Sequence, residues 1–350
     1  MPLPPADRTI LVYEYLTGGG LYSTGPATLP VSSLLDEGAA MVRALTADFA
    51  QIEGCQVHAL CDVRQRDLEL GHCARHLIHD AAEELQILQH WSARSDWTVV
   101  IAPETGGALS RRVEVVEKAG GRLLGPSAKW VQVAAHKTET VQQLAAAGVA
   151  TPRLLRSLDA AIYPDDYPLV IKPVDGAGSL GLERLELPVT DHPAVDTPDQ
   201  WHVEAWVAGV PASVSLLCRG QETIVLPAGQ QCFSEGLHGH YLGGRMPLSQ
   251  PWRDRAERLA QKAIRALPGA WGFVGVDLIL GNAEDGSHDV VLEVNPRLTT
   301  SYVGLRELLD QNLAEIMLCL AEGGRCDMVL RAGGVEFDAD GTTRCSSGSG

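Results

Sequence analysis

The stretch from Trp271 to Arg297 constrains the fold most. It reads WGFVGVDLIL, then a short polar connection, then HDVVLEVNPR. Phe273, Val274, Val276, Leu278, Ile279 and Leu280 form one apolar run, and Val290, Val291, Leu292 and Val294 form a second. Both have the length and apolar content of strands. Asn282 to Ser287 (NAEDGS) supplies turn residues, so the spacing predicts a hairpin. Two carboxylates, Asp277 and Glu293, stand inside these runs, with Asn295 two residues further on. Side chains alternate along a strand, so Glu293 and Asn295 share a face that Asp277 on the partner strand can reach. Two carboxylates and one amide oxygen make a hard, oxygen-only site. Such a site suits Mg²⁺ that also binds substrate phosphates. Arg297 follows and is placed to hold a phosphate oxygen. The plainer reading is a hairpin with carboxylates on a wet face, but the flanking residues are very apolar for that.

Upstream, strands alternate with helices. Thr9–Tyr15, Gln56–Cys61, Trp97–Ala102 and Arg122–Leu124 read as strands; Ser32–Ile52, Glu83–Trp91 and Arg111–Ala119 read as helices. The alternation predicts a parallel sheet with helices on its faces. Ligands of such sheets bind beyond the carboxyl ends of the strands. Two Gly-rich loops lie there, Leu16–Gly20 and Pro103–Gly107. Gly18 and Gly19 would let backbone approach a ligand closely. Glu14 and Glu104 are candidates for a substrate ammonium group, with solvated loop carboxylates as the alternative. His72, Cys73, His76 and His79 invite a metal reading, and on a helix His72, His76 and His79 would share a face, but no second ligand pair follows at zinc spacing. They read as incidental surface histidines.

Further along, Ser127–Gly148 reads as one or two helices carrying Lys137, and Gly148 with Pro152 marks a joint. PLVIKP is a strand ending at Lys172. The loop after it runs Asp175, Gly176, Ala177, Gly178, Ser179, Leu180, Gly181. Such a loop can fold its N–H groups over phosphate oxygens. It has neither the Walker order nor GxGxxG spacing. Trp201–Val207 is a strand whose one charge is Glu204. Ser213–Cys218 and Glu222–Leu226 suggest a hairpin. Gln230–Pro247 is polar, Gly-rich and aperiodic, and reads as a functional irregular stretch. Arg253–Ala266 is a basic amphipathic helix, and Thr300–Glu322 supplies a last helical region. Beyond about Arg331 the pattern reads as a flexible tail ending in CSSGSG.

The net charge of −16 comes without any Lys/Arg-rich block, which argues against a nucleic-acid partner. No apolar run reaches the roughly 18 residues of a membrane span. The N-terminus lacks the pattern of a signal peptide. Eight scattered cysteines with no CxxC read as reduced thiols in a cytoplasmic protein. The first loop, TGGGLYSTG, lacks GxGxxG spacing, which sets aside a dinucleotide enzyme.

Taken in order, five features resemble the ATP-grasp ligases over roughly residues 95 to 320. They are Lys137 in AHKTETVQQLAAAGVATP, Lys172 in LVIKP, the DGAGSLG loop, Glu204 in VEAWVAGV, and Asp277, Glu293 and Asn295 of the hairpin. The resemblance implies a mixed α/β and α+β architecture. A Rossmann-like parallel domain (1–125) would hold the acceptor substrate. Two α+β subdomains (126–205 and 206–330) would clasp ATP, with 331–350 left as the tail. It also implies roles. Lys137 and Lys172 contact ATP phosphates, and Asp175, Gly176, Gly178, Ser179 and Gly181 close over them. Glu204 and the backbone at Val207 receive adenine. Asp277, Glu293 and Asn295 bind two Mg²⁺ ions, or Mn²⁺ in their place. Arg297 and Lys172 assist at the transferring phosphate. The reaction implied is activation of a carboxylate as an acyl phosphate, then displacement by an amine, giving an amide and ADP. One departure stands out. Many members carry a ribose-binding glutamate two residues after the glycine of the VEAWVAGV segment, and here that position is Pro211.

LVYEYLTGGG, PETGG and HYLGGRMP are similar to the tyramine–glutamate ligase group of the methanofuran and methylofuran pathways. That similarity implies a glutamate γ-carboxylate joined to the amine of tyramine. Arg245 or Arg297 would then pair with a glutamate carboxylate, and Glu14 or Glu104 with an ammonium. The implied partners are a small carboxylate and a small amine, with no nucleic acid and no membrane; a homodimer stays open. Two alternatives remain. One is another ATP-grasp amino-acid ligase, of D-alanine–D-alanine type or joining glutamate to a different amine. The other is a nucleotide-binding regulator without turnover, which Pro211 favours and the retained lysines and metal ligands oppose.

Overall fold

The computed structural model describes residues 8–25, 33–155, 158, 167–176, 181–188, 192–234 and 240–346. The first layer system is a parallel sheet. Its strands are β1 (Arg8–Glu14), β2 (Cys55–Asp62), β3 (Cys73–Ile78) and β4 (Trp97–Ile101), in the order β3-β2-β1-β4. Three helices flank it: α1 (Ser33–Ala50), α2 (Ala81–Ser92) and α3 (Ala108–Lys118). The period of two along β1 explains the sandwich. Ile10 and Val12 point into a cluster with Leu45 and Phe49 of α1, whereas Leu11 and Tyr13 point into one with Leu88 of α2 and Val113 of α3. The expected short strand at 122–124 reduces to one parallel bridge, Thr98 to Leu123.

Two helices form the next link, α4 (Ala128–Ala135) and α5 (Lys137–Ala146). They are separate because His136 adopts an extended conformation between them and caps α5 through its side chain. The break frees the Lys137 N–H, which donates to the Val174 carbonyl at 2.9 Å.

A small antiparallel sheet follows, built from β5 (Leu154–Leu155), β6 (Leu169–Pro173), β7 (Glu183–Leu185) and β8 (Trp201–Ala205), in the order β5-β8-β6-β7. The short helix α6 (Pro193–Asp196) precedes β8. A larger antiparallel sheet completes the chain. It contains β9 (Val210–Arg219), β10 (Glu222–Val225), β11 (Gly229–Phe233), β12 (Tyr241–Met246), β13 (Trp271–Leu280), β14 (Val290–Asn295), β15 (Gly334–Asp338) and β16 (Thr343–Ser346). The order is β14-β13-β9-β11-β12-β15-β16, with β10 paired to β9. One face packs on α7 (Gln250–Ala266), with Val274, Val276, Leu278 and Leu280 against Ala256, Ala260 and Ala263. The other face packs on α8 (Ser301–Leu308) and α9 (Leu313–Ala321) near Phe273, whose ring lies 6.1 Å from that of Tyr302.

Four expectations need correction. Gln230–Pro247 is not irregular where it is described. It contains β11 and β12, which pair with each other, and residues 235–239 lie outside the described residues. The stretch after Arg331 is not a tail, because β15 pairs with β12 and β16 with β15, burying Val335 and Phe337; residues 347–350 lie outside the described residues. The cysteines are not all free thiols. Cys319 and Cys326 form a disulfide where the chain turns back at Gly323 and Gly324 after α9. The histidine segment is not helical: Cys73 and His76 lie in β3, with His72 and His79 just outside its ends. His76 stacks on His58, with Trp91 against both rings. No group of three or more His, Cys, Asp or Glu side chains is gathered for a metal among the described residues.

Candidate active site

The predicted hairpin forms as β13 and β14, with Asp277 directly opposite Glu293 and Gly275 opposite Asn295. A bulge beyond the Asp277–Glu293 pair sets Leu278 opposite Val291, so Leu292 is the extra residue. Leu292 and Glu293 consequently both line one cavity. Asp277 and Ile279 line it from β13, while their neighbours Val276, Leu278 and Leu280 pack on α7. The cavity measures about 450 Å³, a size that suits a small-molecule site. Lys137, Lys172, Gly176 and Arg184 line it from the side of the small sheet, and Trp206 and Val207 from the link between β8 and β9.

Charge in this cavity is arranged in opposed sets. The Asp277 carboxylate accepts from Asn295 Nδ2 at 2.9 Å and from Gln231 Nε2 at 3.1 Å. Burial and the nearby Glu293 charge raise its pKa. Burial disfavours charge on Glu293 as well, but Lys137, Lys172 and Arg297 outweigh it and hold that group ionised. Lys137 Nζ stands 3.4 Å from Glu293 Oε2 and also donates to the Gly176 carbonyl.

Behind the lining runs a buried relay. Lys172 Nζ donates to Glu204 Oε1 at 2.8 Å, and His202 Nε2 lies 2.8 Å from Glu204 Oε2. The other ring nitrogen of His202 lies 3.0 Å from Thr138 Oγ1. Burial opposes the charge on Lys172, yet Glu204 and Glu293 raise its pKa above the ordinary value. Burial likewise opposes the charge on Glu204, but Lys172 and His202 pull its pKa down to about 2. Each ion keeps its charge because the other is there.

Of the predicted residues, Lys137, Lys172, Gly176, Val207, Asp277, Glu293, Asn295 and Arg297 meet at this cavity. Gly178 and Ser179 lie outside the described residues. Others have different work. Glu204 is not among the lining residues, and its carboxylate faces Lys172 and His202. Asp175 accepts from the Gly106 N–H at 2.7 Å and so ties the chain after β6 to the PETGG turn. Gly181, with φ near +70°, turns the chain against Pro173.

Five candidates for substrate contact are corrected. Glu14 is buried and its carboxylate accepts from the Leu16 N–H, the Thr17 N–H and the Thr17 hydroxyl, so it caps its own loop. Gly18 and Gly19 admit the protein rather than a ligand. A Cβ on Gly18 would meet the Glu14 carbonyl at 2.5 Å, and one on Gly19 would meet Ile78 at 2.6 Å. Glu104 is buried and holds Arg297, at 2.9 and 3.2 Å. Arg245 projects from β12 into an exposed ion pair with Glu336, away from the cavity lining.

The sequence reading missed Glu37, Ser213, Gln231, Tyr241 and Thr299–Ser301, all of which line the cavity. Ser213 enters through the β9–β13 ladder, where it stands opposite Asp277. Glu37 had no signal in the sequence, because only the packing of α1 against α8 brings it there.

Comparison with known proteins agrees with this geometry. The chain matches the ATP-grasp domain over residues 134–301 and the pre ATP-grasp 3 domain over residues 55–131. It is 26% identical over 333 residues to a tyramine–L-glutamate ligase of Methanocaldococcus fervens, covering 94% of this chain and 98% of that one. Its fold is similar to an ATP-grasp superfamily protein from Archaeoglobus fulgidus, with a TM-score of 0.70 at 21% identity over 94% of this chain and 92% of that one. It is also similar to a biotin carboxylase–beta-gamma-ATP complex from Campylobacter jejuni, with a TM-score of 0.70 at 18% identity over 94% of this chain and 74% of that one. Matched from residue 55 to residue 301 by the two domains of one architecture, the chain belongs to the ATP-grasp superfamily and is an ATP-dependent carboxylate–amine ligase.

Proposed function

We propose that the chain joins the γ-carboxylate of glutamate to the amine of tyramine, with ATP converted to ADP and phosphate, in methylofuran-type cofactor synthesis. One observation carries the reading: Lys137, Lys172 and Arg297 meet Asp277, Glu293 and Asn295 at a single cavity between two antiparallel sheets. The substrates come from the relative that shares nearly the whole chain. The division of labour follows the sequence reading, with 1–125 toward the acceptor, 126–205 as the phosphate cover and 206–330 as the metal wall.

The donor set fits a divalent metal. Asp277 and Glu293 face each other across a ladder, where burial and then their repulsion raise the pKa of Asp277. A hard cation relieves that repulsion, and Asn295 adds an oxygen. Asp277, Glu293 and Asn295 would hold two Mg²⁺ ions, which supply charge neutralisation to the triphosphate and the transferring phosphoryl group. Glutamate would present its γ-carboxylate oxygen to the γ-phosphorus, and ADP leaves. The amine would give up one proton and attack the acyl carbon as the free base; phosphate departs with the C–O electron pair and takes up the second proton that the nitrogen sheds as the amide forms. Lys137 and Lys172 offset phosphate charge throughout, Lys172 being held in place by Glu204 and His202. Glu104 fixes the Arg297 guanidinium in two bonds, which preorganises it for developing negative charge.

The test is ADP release with ATP, Mg²⁺ and a panel of acid and amine pairs, the product being identified by mass. Glutamate with tyramine is expected to give ADP and the γ-glutamyl amide in equal amounts. Silence of that pair beside turnover of another would replace the substrates and keep the ligase.

A further inference from the structure

Glu37 differs from the rest of the cavity wall. It comes from α1, under the parallel sheet, whereas the other lining residues all lie from Lys137 onward. Its Oε2 accepts from the Thr300 hydroxyl at 2.9 Å. Arg297 is near enough to lower its pKa, but burial outweighs that and raises it. The Arg297 guanidinium is itself held by Glu104. Among the described residues Glu37 has no ion-pair partner, unlike Glu293 with Lys137. A partly desolvated carboxylate answered by one hydroxyl is incompletely satisfied, and a cation is what completes it.

What stands beside it narrows the cation. The charges of Glu37 and Asp277 both reach the Tyr241 phenol. Tyr241 lies edge-to-face with Phe233, ring centres 5.8 Å apart at 65°, and both rings line the cavity. Aromatic rings favour other rings in such offset contacts and favour cations over their faces. Thr300, which holds Glu37, is three residues beyond Arg297. A group anchored on Glu37 is thereby kept close to the residue proposed to serve the transferring phosphate.

We infer that Glu37, Tyr241 and Phe233 form the amine subsite, in which Glu37 receives the ammonium of a primary amine and the two rings take an aromatic group attached to it. The inference rests on the proposed ligation and names the part of the cavity that selects the nucleophile. Glu37 acts here as a specificity-determining residue. The α-ammonium of the acid is the competing occupant, and the pair of rings argues for the amine instead, because an amino-acid backbone has no use for them.

The discriminating experiment compares two nucleophiles. Wild type, Glu37→Gln and Glu37→Asp are supplied with ATP, Mg²⁺ and glutamate, together with either tyramine or hydroxylamine. Hydroxylamine is small and uncharged near neutrality, so it traps an activated acid as the hydroxamate without an ammonium site. The readout is the ratio of amide to hydroxamate formation. In Glu37→Gln the ratio is expected to fall about a hundredfold, the scale of losing one charge-assisted contact, with the loss appearing as a higher KM for tyramine. Glu37→Asp, which keeps the charge, should fall less, and it decides the matter if the glutamine variant does not fold. An unchanged ratio in a folded variant overturns the subsite, whether both products persist or both decline. Failure of the wild type to form any ATP-dependent hydroxamate from glutamate overturns the glutamate–tyramine reading and the subsite with it, a result distinct from a selective loss.

Discussion

Lys172 would be a poor phosphate ligand if burial stripped its proton. Glu204 prevents that, and it does so from behind the cavity wall rather than within it. Breaking such a buried pair costs roughly 3–5 kcal/mol, because one charge is left unpaired. Glu204→Gln should therefore lower the melting temperature and also weaken ATP binding, which calorimetry would register. The pH dependence has a definite sign. Glu204 is depressed in the fold to about 2, below the ordinary glutamate value of about 4.3. Its stabilisation is complete above the ordinary value and is lost as pH falls through the folded one. Acid unfolding of the variant should lack that component, so the two stability curves converge as pH is lowered. Curves that stay parallel would contradict this role. At this scale the sequence was informative wherever a charge interrupted an apolar strand, as with Asp277, Glu293, Glu204 and Lys172. It was silent on direction. Alternation does not say whether Glu204 looks toward a ligand or toward Lys172, and it cannot foresee Glu104 closing on Arg297.

At the scale of elements, two of the misread segments share one cause. Gly243 and Gly244 made the stretch before Pro247 look aperiodic. Their bare backbone is what allows β15 to dock, since a Cβ on Gly243 would come within 1.9 Å of the Phe337 carbonyl. A strand partner almost a hundred residues away removed the local signal, and the same pairing turned the supposed tail into β15 and β16. The consequence is measurable. Phe337 is 3% exposed and sits in the cluster with Met246 and Tyr302. Phe337→Ala should cost about 3–5 kcal/mol in denaturant unfolding, as for other buried aromatics. A loss near zero would mean the C-terminal hairpin does not support the sheet. The hairpin of β13 and β14, in contrast, was legible, because its turn and both of its strands are contiguous in the chain. Its bulge was not, and that bulge is what lets Leu292 and Glu293 line the cavity together.

The whole molecule assembles its site from parts that are remote in sequence. Glu104 of the parallel layer holds Arg297 of the large-sheet hairpin, and Asp175 of the small-sheet loop accepts from Gly106. Both contacts end in the PETGG turn, so that turn acts as a brace between the layers rather than as a substrate loop. Glu104→Gln should leave the fold standing while Arg297 loses its fixed orientation. A misplacement of that kind costs about a hundredfold in kcat, and the KM for ATP should move much less. Equal loss in both parameters would place Glu104 in binding instead. The architecture was readable in outline from the order of strands, helices and Gly-rich loops, since each motif is local. The cavity was not, because Glu37, Thr300 and Tyr241 are brought together only by packing between layers.

The central claim is that the carboxylates of the β13–β14 hairpin serve the transfer of a phosphoryl group. ADP release by wild type and by Glu293→Ala, side by side with ATP, Mg²⁺, glutamate and tyramine, tests it most directly. The wild type should release one ADP per amide formed, and the variant should melt like the wild type yet lose turnover by about a thousandfold or more, as fits removal of a metal ligand. A folded Glu293→Ala that turns over at close to the wild-type rate would contradict the account.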